Sequence, residues 1–354
     1  MAHEIRMEEK KVPLIFECSY TKGDEIWFSA RDFNGLFQGN LITGEVTFLS
    51  FFSEVGFLKK RLHSKIIEKD NRLFFAPEES DYFHVYDLQT GEMQAYRMKE
   101  PAAWKYQTAY EWKNDIYLIP HKVKSILRFS ANEKSLRSID MRLDDWLAKS
   151  TVRKDAVVYA TMESQNYIVE INLDTESVHK FPVGVRGDKF LILAIKGNAL
   201  YLKKEASKEI LVWDITTKKI VARHIVSTQI YFSAVQHKDL VVGNSRMGDG
   251  VQTISIDRMQ PAVCRREPEM IPFSFLELTD CFVYRDELWY LWSGDGKIYN
   301  ARTNELLTGF YQSKELLESM KEKTLEQKRL VFEEGDCFSL KEYAAWLKKN
   351  RQTV

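Results

Sequence analysis

One short element recurs through most of the chain and limits what it can fold into. A polar turn leads into an apolar strand at Asp24-Glu25-Ile26-Trp27-Phe28, Asn71-Arg72-Leu73-Phe74-Phe75 and Asn114-Asp115-Ile116-Tyr117-Leu118. It returns at Asp155-Ala156-Val157-Val158-Tyr159, at Asn198-Ala199-Leu200-Tyr201-Leu202 and at Asp286-Glu287-Leu288-Trp289-Tyr290, with a shifted copy at Lys238-Asp239-Leu240-Val241-Val242. The first apolar positions are 26, 73, 116, 157, 200, 240 and 288, so seven copies follow at intervals of 40 to 48 residues. A second marker keeps the same register. A strand ends in Asp or Asn and then turns at Asn40-Leu41-Ile42-Thr43-Gly44, Asp87-Leu88-Gln89-Thr90-Gly91, Asn172-Leu173-Asp174-Thr175-Glu176, Asp214-Ile215-Thr216-Thr217-Lys218 and Asn300-Ala301-Arg302-Thr303-Asn304. Ser130 takes that place in the third unit, and the sixth is degenerate around Ile256-Asp257.

Short polar side chains that bond the turn backbone, with Gly supplying positive φ, are hairpin chemistry. Strands rich in Val, Ile, Tyr, Phe and Trp between closely spaced turns argue for an all-β chain. A period of this length is that of propeller blades. The expected fold is therefore a seven-bladed β-propeller of four-stranded antiparallel blades. In the second blade the strands fall at Ser64–Lys69, Leu73–Ala76, Phe83–Tyr86 and Met93–Arg97. Three segments follow: an N-terminal stretch over 1–11, the propeller over 12–312, and a helical C-terminal extension over 313–354. The propeller starts with an inner strand at Val12–Tyr20 and ends with Leu306–Tyr311, each blade built from consecutive sequence, and no strand is visibly borrowed between the two ends. Ala2–Met7 is a candidate for an extra edge strand. The extension reads as a charged helix over Ser313–Glu334, a break at Gly335-Asp336, and a second helix with a capping box at Ser339 and Glu342. Its Leu340, Tyr343 and Leu347 suit packing on the propeller, and Trp346 would anchor a partner.

The 354 residues hold 44% apolar and 13% aromatic side chains, ample for one large core. With 51 basic and 51 acidic residues, no overall field favours nucleic acid or an anionic membrane. Cys18, Cys264, Cys281 and Cys337 are far apart and form neither a disulfide framework nor a zinc ribbon. The first residues carry acids where a secretory signal needs a positive end and an apolar run. No run approaches a membrane span. The expectation is a cytoplasmic protein with no nucleic-acid or membrane partner.

Over residues 12–312 the chain resembles the kelch- and WD40-like β-propellers of bacteria, on the turn, strand and Thr-Gly markers above. The kelch double glycine is absent from every blade, and Trp213-Asp214 is the one dipeptide at a WD40 position. The resemblance thus implies architecture, and no functional residue is carried over from it.

Phosphate loops, dinucleotide fingerprints, nucleophile elbows and His-Glu-x-x-His are missing. Gly248-Asp249-Gly250 and Gly294-Asp295-Gly296 lack the ligand spacing of a calcium loop and read as turns. No metal and no cofactor is expected. Function is instead sought in the loops that join one blade to the next and in those between second and third strands, which share one face. The first class contributes His63, Lys65, Trp104, Lys105 and Tyr106, together with Trp146 and Tyr231. The second contributes His121, Arg246, Trp292 and Asp295, with Arg31, Asp32, Lys122 and Asp249. Aromatics mixed with cationic donors suit a peptide or a polar ligand such as a sugar. The same side chains also suit wedging between blades and solvation. The reading is a non-catalytic recognition scaffold for a protein or peptide partner. The alternative is an enzyme or carbohydrate-binding protein at the channel mouth, with His63, His121 and Asp295 as its candidates.

Overall fold

A computed structural model describes residues 12–98, 105–141, 146–163, 165–205, 207–226, 230–245, 251–265 and 278–331. Within them lie seven four-stranded antiparallel sheets, each a meander of consecutive strands. The first strands are Phe16–Lys22, His63–Lys69, Tyr106–Trp112, Ala148–Lys154, Phe190–Lys196, Ile230–His237 and Leu278–Tyr284. They touch one another in order and back from the seventh to the first, so they form the inner ring of a seven-bladed propeller. In blade 2 the strands are His63–Lys69, Arg72–Pro77, Tyr82–Asp87 and Met93–Arg97, within one residue of expectation.

The turns explain the regularity. The first residue of all seven hairpins between inner and second strands has positive φ: Gly23, Asp70, Lys113, Asp155, Gly197, Lys238 and Arg285. That geometry matches the twist of the strands it joins. At the hairpin to the outer strand, Asn40, Asp87, Asn172, Asp214 and Asn300 each accept two backbone N–H bonds through Oδ1. Ser130 and Ser255 accept one each, so the turn residue of the sixth blade is Ser255.

The core is seven clusters, one between each pair of neighbouring blades. The cluster between blades 7 and 1 is rich in phenylalanine, with Phe16, Phe28, Phe37, Phe48 and Phe310 in contact with one another through stacked or tilted rings. Among the described residues no strand is exchanged there. Instead Pro13 bridges Tyr311, Leu14 N–H donates to Phe310 O at 2.8 Å, and Gln312 N–H donates to Val12 O at 2.9 Å. The inner strand of blade 1 begins at Phe16, later than the sequence suggested, because residues 12–14 serve this closure. The helix Lys314–Val331 then continues the clasp. Ser313 Oγ caps it by accepting from Leu316 N–H at 3.1 Å, and Leu316 and Met320 enter the cluster beside the outer strand Val46–Ser50. Burying those two side chains contributes about 3 to 5 kcal/mol. The described part of the extension thus packs on the propeller. Ala2–Met7, the Ser339 capping box and Trp346 lie outside the described residues. No helix of the described residues is long and apolar enough to cross a membrane.

Candidate functional site

Every inner strand begins on the face that carries the interblade loops, and its pairing slips there. The register skips one residue at Glu17, Ser64, Gln107, Lys149, Tyr231 and Thr279 in six blades, and at Leu193 in blade 5. A bulge bends its strand and re-aims the extra side chain. In blade 1 the residue so placed is Glu17, which pairs with Arg31 at 3.2 Å and Arg61 at 3.3 Å. Arg61 reaches on to Glu78 at 3.0 Å, tying blade 1 to blade 2. Arg61 also holds φ at +52°, a left-handed backbone that costs a non-glycine residue about 1 kcal/mol. Burial, aided by the Glu17 carboxylate and opposed by Arg61, pushes the Glu78 carboxyl up to about 8.

Asp280, beside the bulge of blade 7, accepts from Ser19 Oγ of blade 1 and from Cys281 N–H. Burial pushes its carboxyl up to about 7 against the charge of Lys65, although part of Asp280 stays open to the channel. The arc of blades 7, 1 and 2 therefore carries two carboxyls that change charge near neutral pH.

Above this arc lies the loop 51–62, built from below. Asn34 donates to Phe52 O at 2.9 Å and to Val55 O at 2.8 Å, and accepts from Phe52 N–H at 2.8 Å. Phe51, Phe52 and Phe57 are buried as its pegs. Ser53 O accepts from His84 Nε2 at 2.9 Å. Held this way, the loop exposes Leu58, Lys59 and Lys60 to solvent, with Leu58 half-exposed at 50%.

The residues expected from sequence distribute as follows. His63 is buried, with Nδ1 against Ser29 Oγ and Nε2 against His84, and supports the loop rather than facing a partner. Lys105 is buried at 1% exposure and bonds Ser80 O and Asp81. Tyr106 and Trp292 are core residues of the junctions between blades 2 and 3 and between blades 6 and 7. These four side chains lie at or beside strand ends on the loop face and turn into the core. His121 donates from Nδ1 to Ala148 O at 2.7 Å. Asp295 accepts from Lys297 N–H at 3.0 Å and from Tyr299 OH at 2.5 Å, as a turn residue before Gly296. His63 bonds at the junction of blades 1 and 2, His121 at that of blades 3 and 4, and Asp295 within blade 7, so the three do not assemble with one another. Lys65 sits in the inner ring near Asp280. Trp104 and Arg246 lie outside the described residues.

Sequence reasoning missed Glu17, Arg61, Glu78 and Asp280. Aligning the first residues of the seven inner strands is the signal that finds the first and last. Among the described residues no cluster of His, Cys, Asp or Glu has the composition of a metal site. On the opposite face, a cleft of about 310 Å³ beside blades 6 and 7 is lined by His237, Lys238, Arg285, Asp286 and Arg302. Its charges are engaged in pairs, Lys238 with Asp286 and Arg302 with Asp239.

No family profile matches the chain, and no curated protein matches its sequence. Solved structures do match. Virginiamycin B lyase from Staphylococcus aureus is 12% identical at a TM-score of 0.61, covering 81% of this chain and 96% of its own. BamB from Moraxella catarrhalis is 11% identical at 0.52, covering 87% and 91%. A chain of the mitotic checkpoint complex is 9% identical at 0.55, covering 89% and 96%. At such identity the likeness shows the fold alone, a β-propeller.

Proposed function

We propose that the chain is a non-catalytic recognition scaffold of the cytoplasm that holds a protein or peptide partner on its loop-bearing face. The observation that carries this reading is the loop 51–62. It is fastened from below by Asn34, three phenylalanines and His84, and offers Leu58, Lys59 and Lys60 outward. Preorganised loops on a rigid frame bind with little ordering cost. BamB and the mitotic checkpoint chain, both propellers, lend the reading support by analogy of fold. The free, buried thiols of Cys18 and Cys281 fit a reducing compartment.

The test is site-specific photocrosslinking in the host cell, with the crosslinking residue at Leu58 and, on the opposite face, at Lys134. A discrete adduct at position 58 and none at 134 supports the reading; an adduct at 134 alone, or at neither, removes it.

A second reading, a ligand or activity in the channel, is favoured by Asp280 and Glu78, whose carboxyls are held near neutral pKa as acid–base groups often are. Thermal-shift screening with mono- and oligosaccharides tests it. A stabilising sugar whose effect vanishes in Asp280→Asn supports it, and a uniform lack of shift rejects it.

A further inference from the structure

The chain is formally neutral, yet the described exposed charges are unevenly shared between its faces. On the loop-bearing face the exposed basic residues are Lys59 and Lys60 after blade 1, Arg97 at the end of blade 2, Lys122 and Lys124 in blade 3, and Arg186, Lys189 and Lys208 in blade 5. Against these eight stand four exposed acids, Asp32, Glu54, Asp81 and Asp140, and Asp81 is already paired with the buried Lys105. On the hairpin-turn face the described exposed charges nearly balance, with ten acids, among them Asp70, Asp155 and Glu305, against nine bases. A field of this kind steers partners by orientation even where the net charge is zero.

Two exposed aliphatic side chains stand among the cations of the same face, Leu58 beside Lys59 and, at 68% exposure, Val185 beside Arg186. Nucleic acid would be read by cations interleaved with aromatic platforms for the bases. Here no aromatic at the described loop ends is exposed: Tyr106, Trp146 and Trp292 are buried, and Tyr82 and Tyr167 are half-buried. Cations flanking aliphatic groups complement a segment that alternates carboxylates with apolar side chains. We infer that the loop-bearing face recognises an acidic, aliphatic-rich protein segment. This rests on the reading of that face as a partner surface and adds the partner's chemistry to it.

The test uses the full chain and a fluorescein-labelled peptide of alternating Glu and Leu, followed by anisotropy at low and physiological salt, with a dT oligonucleotide and a Lys/Leu peptide as comparators. The expected result is saturable binding of the Glu/Leu peptide that weakens with salt. It should weaken at least tenfold in Lys59→Glu/Lys60→Glu and stay unchanged in the turn-face variant Lys134→Glu. Both substitutions are on exposed side chains, so circular dichroism should report an unaltered fold. Binding that prefers the oligonucleotide, that ignores the charge reversal, or that is absent overturns the inference. If the Leu58 crosslink forms while the Glu/Leu peptide fails to bind, the partner surface stands and only its acidic chemistry falls.

Discussion

His63 donates its Nε2–H to Nδ1 of His84 across 3.0 Å, in a buried layer between blades 1 and 2. The direction follows from the ends of the chain. Ser53 O can only accept, so His84 Nε2 carries a proton and its Nδ1 is the acceptor. His63 Nδ1 in turn accepts from Ser29 Oγ at 3.1 Å. Both rings are thus neutral and satisfied.

Burial lowers both histidines, His84 to about 4 and His63 well below its ordinary range. As pH falls below about 6.5, the unfolded chain takes up protons that the folded one refuses, so this contribution to stability declines between pH 6.5 and 4. For His84 alone the loss is about 2 kcal/mol at pH 5. His84→Gln keeps a donor and an acceptor but does not titrate. Denaturant unfolding at pH 7 and pH 5 should show a smaller acid loss in the variant than in the wild type. An equal loss would place the acid sensitivity elsewhere.

Asp280 and Glu78 act in the opposite sense. Their folded carboxyls sit at about 7 and about 8, above their unfolded values. As pH rises from about 4, the unfolded chain releases protons that the folded one keeps, so stability declines up to pH 7 for Asp280 and pH 8 for Glu78. Asp280→Asn retains an acceptor for Cys281 N–H and removes the charge. It should equal the wild type near pH 4 and exceed it by on the order of 2 kcal/mol at pH 8, after discounting for water in the channel. Chemical denaturation across that range measures it.

The fold was legible because its turns are local chemistry. Asn40 or Asp87 bonds the backbone two and three residues on, whatever the rest of the blade does. Even so, the left-handed position that follows is Gly44, Gly91 or Asn304 in three blades and Lys134, Glu176, Lys218 or Met259 in the others, where the side chain announces nothing. The candidate site was less legible because it forms across blade junctions. Glu17, Arg61 and Glu78 are remote in sequence and meet only once the ring stands. His63 and Trp292 misled for a smaller reason. Each strand runs one residue farther than its apolar core suggests, and that residue turns between blades rather than outward.

Asn34→Ala should detach the loop 51–62 without breaking the ring. It removes three hydrogen bonds and strands buried groups of Phe52 and Val55, worth about 3 kcal/mol in all. Limited proteolysis should then cut first between Glu54 and Lys60, ahead of any other site. Asn34→Asp, which keeps the acceptor for Phe52 N–H but sets a buried carboxyl against the Phe52 and Val55 carbonyls, should loosen the loop at least as much as alanine. Cleavage spread evenly over the chain would show that Asn34 supports the blade and not the loop.

Closure of the ring rests on a contact that leaves no room for a methyl group. Gly296 has φ at +68°, and a Cβ there would lie 2.2 Å from Cβ of Pro13, whose residue bridges Tyr311. Gly91 has the same kind of backbone at φ +74°, but its Cβ would meet nothing nearer than Tyr86 OH at 3.6 Å. Alanine at either site incurs the left-handed cost of about 1 kcal/mol. The excess in Gly296→Ala therefore reports the closure alone, and should bring its total to about 3 kcal/mol. Repeats that contact only their neighbours unfold piecemeal unless the array is joined end to end. Gly296→Ala should accordingly broaden the denaturant transition, while Gly91→Ala shifts it without broadening. Equal effects of the two substitutions would mean that residues 12–14 decorate the ring and do not close it.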